Sequence, residues 1–366
     1  MLLCIAAVSQ GVVFTGTVVD AANQKPLVNA SVFINGTSKG TVTDAEGRFQ
    51  LVPSAAASYE IIVSFIGYKT VQFKPSTSDM GNKFRFELSV LEAETENVVV
   101  EPDVKDGWRQ WGRTFIETFI GKSELAGRCR LLNPEVLRFK YNRNTRVLRV
   151  IARDALLIEN NGLGYNIRFQ LEQYEYDMRA GITGYVGYQF FTPMETKKKR
   201  KEQKYIDARL EAYNGSLMHF IRTAYVHKLA EEGFEVRKLK KVDRTDSTLM
   251  NGMYYKKISQ VNLLDKNILP DSAFIKSDSS GHQFLVFNDY LDITYTREKE
   301  KQAYVDFQFP VRKAYHPISQ IWLVSHTPVQ IEFNGLYFDP LELYTNGYWG
   351  WEKLAETVPT DYEPGD

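Results

Sequence analysis

Cysteine is nearly missing from this chain: Cys4 and Cys129 are the only two in 366 residues. If a leader carrying the first is removed, no internal disulfide remains possible, so an oxidising compartment is permitted but not exploited. Net charge is missing too, with 45 Lys+Arg balanced by 45 Asp+Glu. A balanced chain has no global field to steer it onto DNA or RNA, and nucleic acid is not an expected partner. No run of about 18 apolar residues follows the N-terminus, so no transmembrane helix is expected. Catalytic signatures are also lacking. None of the five histidines, His219, His227, His282, His316 and His326, has a glutamate three residues on. No His-Glu-x-x-His, P-loop or Cys-x-x-Cys occurs, and NGLGYN lacks the third glycine of a dinucleotide loop. Neither cofactor nor metal is expected.

Aromatic residues are abundant, with 21 Tyr and 22 Phe, and they favour sheets. The length suits two domains, since a single core rarely grows beyond about 250–300 residues. The opening MLLCIAAVSQGVV ends in small residues like the apolar core and cleavage site of a signal peptide. Residues 1–13 are therefore read as a truncated leader without its basic start, the alternative being a first strand. The leader implies an exported protein, periplasmic or associated with the outer membrane at the cell surface. Leu3 stands where a small residue normally precedes a lipidated cysteine, which argues against a lipoprotein anchor at Cys4.

From Phe14 onward apolar residues alternate: Phe14, Gly16, Val18; Ala30, Val32, Ile34; Ile61, Val63, Phe65; Phe84, Phe86, Leu88. Period two with turn residues between the runs indicates antiparallel strands with one face on a core, arranged as a Greek-key sandwich. In the hairpin TVTDAEGRFQ, Asp44 can bond backbone N–H groups ahead of it and Gly47 can take positive φ. Asp44 and Glu46 supply too few oxygens for calcium, so the hairpin is read as a fold device.

These residues carry a resemblance. Gly16, Val18, Asp20, Pro26, Leu27, Ala30, Val32, Gly40, Thr43, Asp44, Gly47, Phe49, Ser64, Gly67 and Tyr68 resemble, in order, the carboxypeptidase-like regulatory module. That module is a transthyretin-like (prealbumin-like) β-sandwich. The resemblance covers residues 14–90 and implies a non-catalytic, interaction-supporting role in a Gram-negative envelope, where such modules precede the barrel of some TonB-dependent receptors. The zinc motif of the peptidases themselves is absent.

Residues 91–107 turn acidic and are read as a linker with one strand, NVVVEP. Residues 108–366 resemble no named fold and are read as a larger β-rich α+β domain of unknown function with two amphipathic helices. One helix is WRQWGRTFIETFI, with Trp108, Trp111, Phe115, Ile116, Phe119 and Ile120 on one stripe; the other spans about Glu202 to Glu232. Strands are expected at VLRFKYNRNTRVLRVIA, YNIRFQLEQYEYD, GYVGYQFF, MYYKKI, HQFLVFN, YLDITYT, AYVDFQF and SQIWLVS. VQIEFNGLYF should form a hairpin about Asn334-Gly335.

Two groups stand out as candidate binding residues. Tyr174, Tyr176, Tyr185 and Tyr188 fall on neighbouring strands and could form an aromatic platform for sugar or peptide, or simply pack the sheet. Lys197, Lys198, Lys199 and Arg200 head a basic run suited to anionic lipid or acidic polysaccharide, or to a solvated loop. Cys129 between Arg128 and Arg130 has no assignable base, and His227–Glu231 is a helical charge pair before it is a metal pair. The resulting expectation is a non-enzymatic envelope protein that binds a protein or glycan partner. An accessory module on an uncharacterised peptide or polysaccharide hydrolase and a structural spacer are the alternatives.

Overall fold

The structure, a computed structural model, describes residues 13–53, 59–76, 79, 81–91, 102–250, 253–308 and 312–365, excepting the side chains of 246–250 and 253–258. The leader (but for residue 13), Cys4 and nearly all of NVVVEP lie outside the described residues.

The N-terminal strands are β1 (Phe14–Asp20), β2 (Ser31–Ile34), β3 (Gly40–Val42), β4 (Arg48–Leu51), β5 (Ile61–Ser64), β6 (Val71–Phe73) and β7 (Lys83–Leu88). They form two facing sheets, β4-β1-β7 and β3-β2-β5-β6, with β1 and β7 parallel and the other pairs antiparallel. Phe14, Val18, Val32, Ile61 and Val63 are fully enclosed between them. The expected sandwich is present. Its Asp44 hairpin works as read: the carboxylate accepts from the Glu46 and Arg48 backbone N–H groups at 3.0 and 2.8 Å, and Gly47 has φ 72°. One feature departs from one-sided burial: β2 and β5 are buried on both faces, including Phe33 and Ile62. The remainder of the chain covers their outer side.

That remainder is β-rich, as expected. Helix α1 (Gly107–Phe115) runs into a π-helical turn, Ile116–Ile120. Next come β8 (Cys129–Leu131), β9 (Leu137–Asn142), β10 (Val147–Ala152), β11 (Leu156–Asn160), β12 (Tyr165–Asp177) and β13 (Ile182–Pro193). Long β12 pairs with β13 along one edge and shares the other between β11 and β10. The apolar stripe of α1 and its extension packs on this sheet, with Phe115, Phe119, Phe139 and Phe169 in one core.

Helices α2 (Lys199–Tyr213) and α3 (Leu217–Tyr225) lead to β14 (Phe234–Met250), β15 (Met253–Ile268), β16 (Ile275–Ser277), β17 (Gln283–Leu285) and β18 (Tyr290–Tyr295). Then follow α4 (Gln302–Gln308), β19 (Ile318–Leu323), β20 (Val329–Ile331), β21 (Leu343–Gly347) and α5 (Tyr348–Trp351). The sheets are β15-β14-β18-β19-β21 and β16-β17-β20, and their shared core includes Phe220, Phe234 and Ile321.

Several expectations need correction. Five α-helices occur among the described residues where two were expected. The single helix from about Glu202 to Glu232 is two helices, because Gly215 takes φ +68° and turns the chain between them. AYVDFQF holds helix α4, not a strand, since Tyr304 packs on Tyr348 and Trp351. The Asn334-Gly335 turn exists, with Gly335 at φ +88°, but joins only an isolated Ile331–Tyr337 bridge. Strand β14 was not anticipated: its run KLKKVDRTDS alternates too weakly to be seen.

Candidate binding cleft

The sandwich is fastened to the rest of the chain by its β2–β3 turn. Gly36 N–H donates to the Gln189 carbonyl (2.8 Å) and Phe191 N–H to the Thr37 carbonyl (3.0 Å), so the turn adds a short bridge to β13. Thr360 N–H donates to the Gly36 carbonyl (2.7 Å), and Asp361 accepts from the backbone and hydroxyl of Ser38 at 2.9 and 2.7 Å. Phe33 lies against Phe190, ring centroids 5.4 Å apart. A Cβ on Gly40 would strike the Phe190 ring at 2.6 Å, so this close approach requires glycine.

Beside this joint lies a cleft of about 490 Å³. Its first wall belongs to the sandwich. There Glu60 accepts from Asn35 (2.6 Å) and from Gln72, while Lys74 stands 4.1 Å over the Phe338 ring. The second wall is β13, with Tyr185 and Tyr188. The Tyr188 hydroxyl donates to Gln72 Oε1 at 3.3 Å, and burial followed by Glu172 and Glu60 pushes its pKa up to about 12. The third wall carries Tyr337, Phe338, Tyr344 and Trp349. Glu352, Lys353 and Glu356 close the cleft.

This closing segment is electrostatically unusual. Burial first, then neighbouring Glu356, holds the Glu352 carboxyl well above the usual range. Glu356 is buried, pairs with Lys301 at 3.3 Å, and leaves Oε1 without a hydrogen-bond partner. Lys301 also meets Glu211 at 3.3 Å. Among the described residues no group of three or more His, Cys, Asp or Glu gathers in a form able to hold a metal ion. A wider depression of about 700 Å³ runs beside Asp103, Trp108, Arg109 and Arg138, but it is shallow and open.

The candidate residues from the sequence separate. Tyr185 and Tyr188 line the cleft. Tyr174 is core, 1% exposed, its hydroxyl bonded to Thr118 at 2.5 Å, and it pairs across the strands with Tyr185. Tyr176 is half-buried opposite Thr183, which lines the cleft, but is not itself part of the lining. Lys197, Lys198, Lys199 and Arg200 are exposed at the start of α2 and take no part in the cleft. Cys129 is half-buried with its thiol pushed up to about 12, by burial and then Glu356. His219 is buried, stacked on Tyr213, and accepts the Gly215 N–H at 3.1 Å. The reading missed Glu60, Gln72, Lys74, Phe338 and Trp349, which come from segments too far apart in sequence for any local signal.

A family model described as CarboxypepD_reg-like domain matches residues 14–100. Over the N-terminal region the chain is also similar to a curated protein: 92 residues are 35% identical to the TonB-dependent receptor SusC of Bacteroides thetaiotaomicron. That match covers 25% of this chain and 9% of the receptor, so the chain spans less than a tenth of the receptor's length. Among solved structures, a type II cohesin–X-dockerin complex from Acetivibrio cellulolyticus shows 28% identity over 22% of this chain and 52% of that one, at TM-score 0.16. A putative membrane-associated protein of unknown function from Bacteroides fragilis shows 11% identity over 92% and 98% of the two chains, at TM-score 0.18. Neither superposition carries an argument about fold. Among the described residues no helix is long and apolar enough to cross a membrane, a statement that leaves strands aside.

Proposed function

We propose that this is a cell-envelope binding protein whose CarboxypepD_reg-like domain and larger β-rich part jointly receive a protein or glycan partner in the cleft between them. The carrying observation is the cleft's composition: sandwich, β13 and the third wall each contribute polar or aromatic side chains to one cavity. The similarity of residues in the sandwich to an envelope receptor supports the location. Photo-crosslinking from position 188 in native envelopes tests the reading. A discrete adduct lost on substituting Phe338→Ala is expected; adducts unaffected by that substitution, or none, would overturn it.

A second reading has its own observation. Glu352 and Glu356 at the closed end are a pair of carboxyls in unlike environments, the first raised by burial and the second ion-paired with Lys301, the kind of contrast an acid/base pair uses. Release of reducing ends or amines from envelope polysaccharide or peptide, abolished in Glu352→Gln, would establish it; turnover unchanged in that variant would remove it.

A further inference from the structure

Tyr344 of the cleft is also the end of an aromatic row. Across the sheet, Tyr290 on β18, Trp322 on β19 and Tyr344 on β21 stand in register as direct cross-strand neighbours. Their ring centroids are 5.4 and 5.6 Å apart, and all three side chains are half-buried. Lys241 caps the far end, its ammonium 4.0 Å above the Tyr290 ring and 5.6 Å from that of Trp322. One register step away on the same face runs a polar row: Arg237, Asp292, Gln320 and Asn346. Gln320 donates to Asp292 at 3.4 Å.

This arrangement limits what can bind. β18 and β19 are interior strands whose backbone groups are engaged on both sides, so a ligand lying along the row, which crosses the strands up to the edge strand β21, meets rings and not a free ladder. Recognition along the row comes from side chains, with ring faces in one line and amides and a guanidinium in the next, where buried Asp292 holds Gln320 in place. A sugar chain lying across the strands matches both lines, since its pyranose C–H faces pack on rings while its hydroxyls pair with flanking polar groups.

We propose that the row Tyr290–Trp322–Tyr344 is an extended glycan subsite continuous with the cleft through Tyr344. The proposal deepens the binding reading and rests on it by committing the ligand to a carbohydrate chain. The probes are cellohexaose and maltohexaose, titrated by calorimetry into the full chain, with cellobiose and maltose as short controls. One hexasaccharide is expected to bind at millimolar concentration or better and its disaccharide at least tenfold more weakly. Trp322→Ala and Tyr290→Ala should each lose at least tenfold, while Trp322→Phe, which keeps a ring, should lose less than Trp322→Ala. Binding of neither hexasaccharide, or equal affinity in folded Trp322→Ala and Tyr290→Ala, overturns the proposal. Such a failure is separable from that of the broader reading, because crosslinking from position 188 would still report a protein partner.

Discussion

Thr43 is 2% exposed, and its hydroxyl accepts the Ala30 N–H at 2.8 Å while donating to the Leu27 carbonyl at 2.5 Å. The side chain therefore ties β3's exit to the segment before β2. Thr43→Val keeps the shape and removes both bonds. It should cost about 1–3 kcal/mol, read as a lower urea midpoint with unchanged slope; an unchanged midpoint would refute the role. Cys129 gives a second residue-scale prediction. Its flanking arginines are engaged elsewhere, Arg128 with Glu124 at 2.5 Å and Arg130 with Glu159 at 3.5 Å, so neither activates the thiol. With the pKa pushed from 9.0 to about 12, the thiolate at pH 8 is scarcer by about three orders of magnitude. In a Cys4→Ser background, labelling by a disulfide reagent should be at least about 100-fold slower in the folded chain than in urea. Equal rates would show the thiol to be activated after all.

At the scale of elements, legibility followed how far each signal reaches along the chain. The sandwich strands were readable because their alternation and turn residues are local: Asp44 and Gly47 act on neighbours within four positions. The β9–β10 and β12–β13 hairpins were readable for the same reason. Two-sided burial of SVFI and IIVS was not, since alternation counts residues and not what covers them; only docking against Phe190 makes Phe33 interior. The break between α2 and α3 lay in Asn214-Gly215-Ser216, where helical periodicity on both sides masked it. There Gly215 sets the angle with positive φ, and its carbonyl accepts the Trp349 indole N–H at 2.7 Å. A Cβ at 215 would lie 2.5 Å from the Tyr295 ring, in a backbone region that L side chains disfavour. Gly215→Ala should therefore destabilise by about 1–3 kcal/mol. Tryptophan fluorescence should shift as Trp349 loses its partner; wild-type stability with an unaltered spectrum would contradict this.

In the whole molecule, charges from distant positions meet where the helices join the closing segment of the cleft, an arrangement no local pattern could announce. Glu211, Glu298, Glu352 and Glu356 surround Lys301 and Tyr348, with Asn214 hydrogen-bonded to Glu298. Burial lowers the Lys301 pKa, but Glu356, Glu211 and Glu352 more than reverse it. Burial and then Glu211 push Glu298 up to about 7, against the opposing pull of Lys301. A carboxyl raised on folding holds its proton longer in the folded state, so stability falls as pH rises from about 4.5 through about 7. Glu352 acts in the same sense. His219 works oppositely: burial pushes it down to about 4, so its contribution is lost as pH falls below about 6.5. The two slopes oppose each other between about pH 4.5 and 6.5, and beyond about pH 6.5 only the carboxyl limb remains. From there to pH 8 the loss through Glu298 should be about 0.5 kcal/mol, because most of its window lies below pH 6.5 and the remaining share, about 0.8 kcal/mol unscreened, is reduced by partial exposure to solvent. Thermal unfolding at pH 6.5 and 8 measures it, with a midpoint about 1 °C lower at the higher pH. Glu298→Gln should make that alkaline limb shallower, with Glu352's share remaining, and leave the His219 limb in place; wild-type stability that stays level or rises toward pH 8 would show that these carboxyls are already ionised in the folded chain.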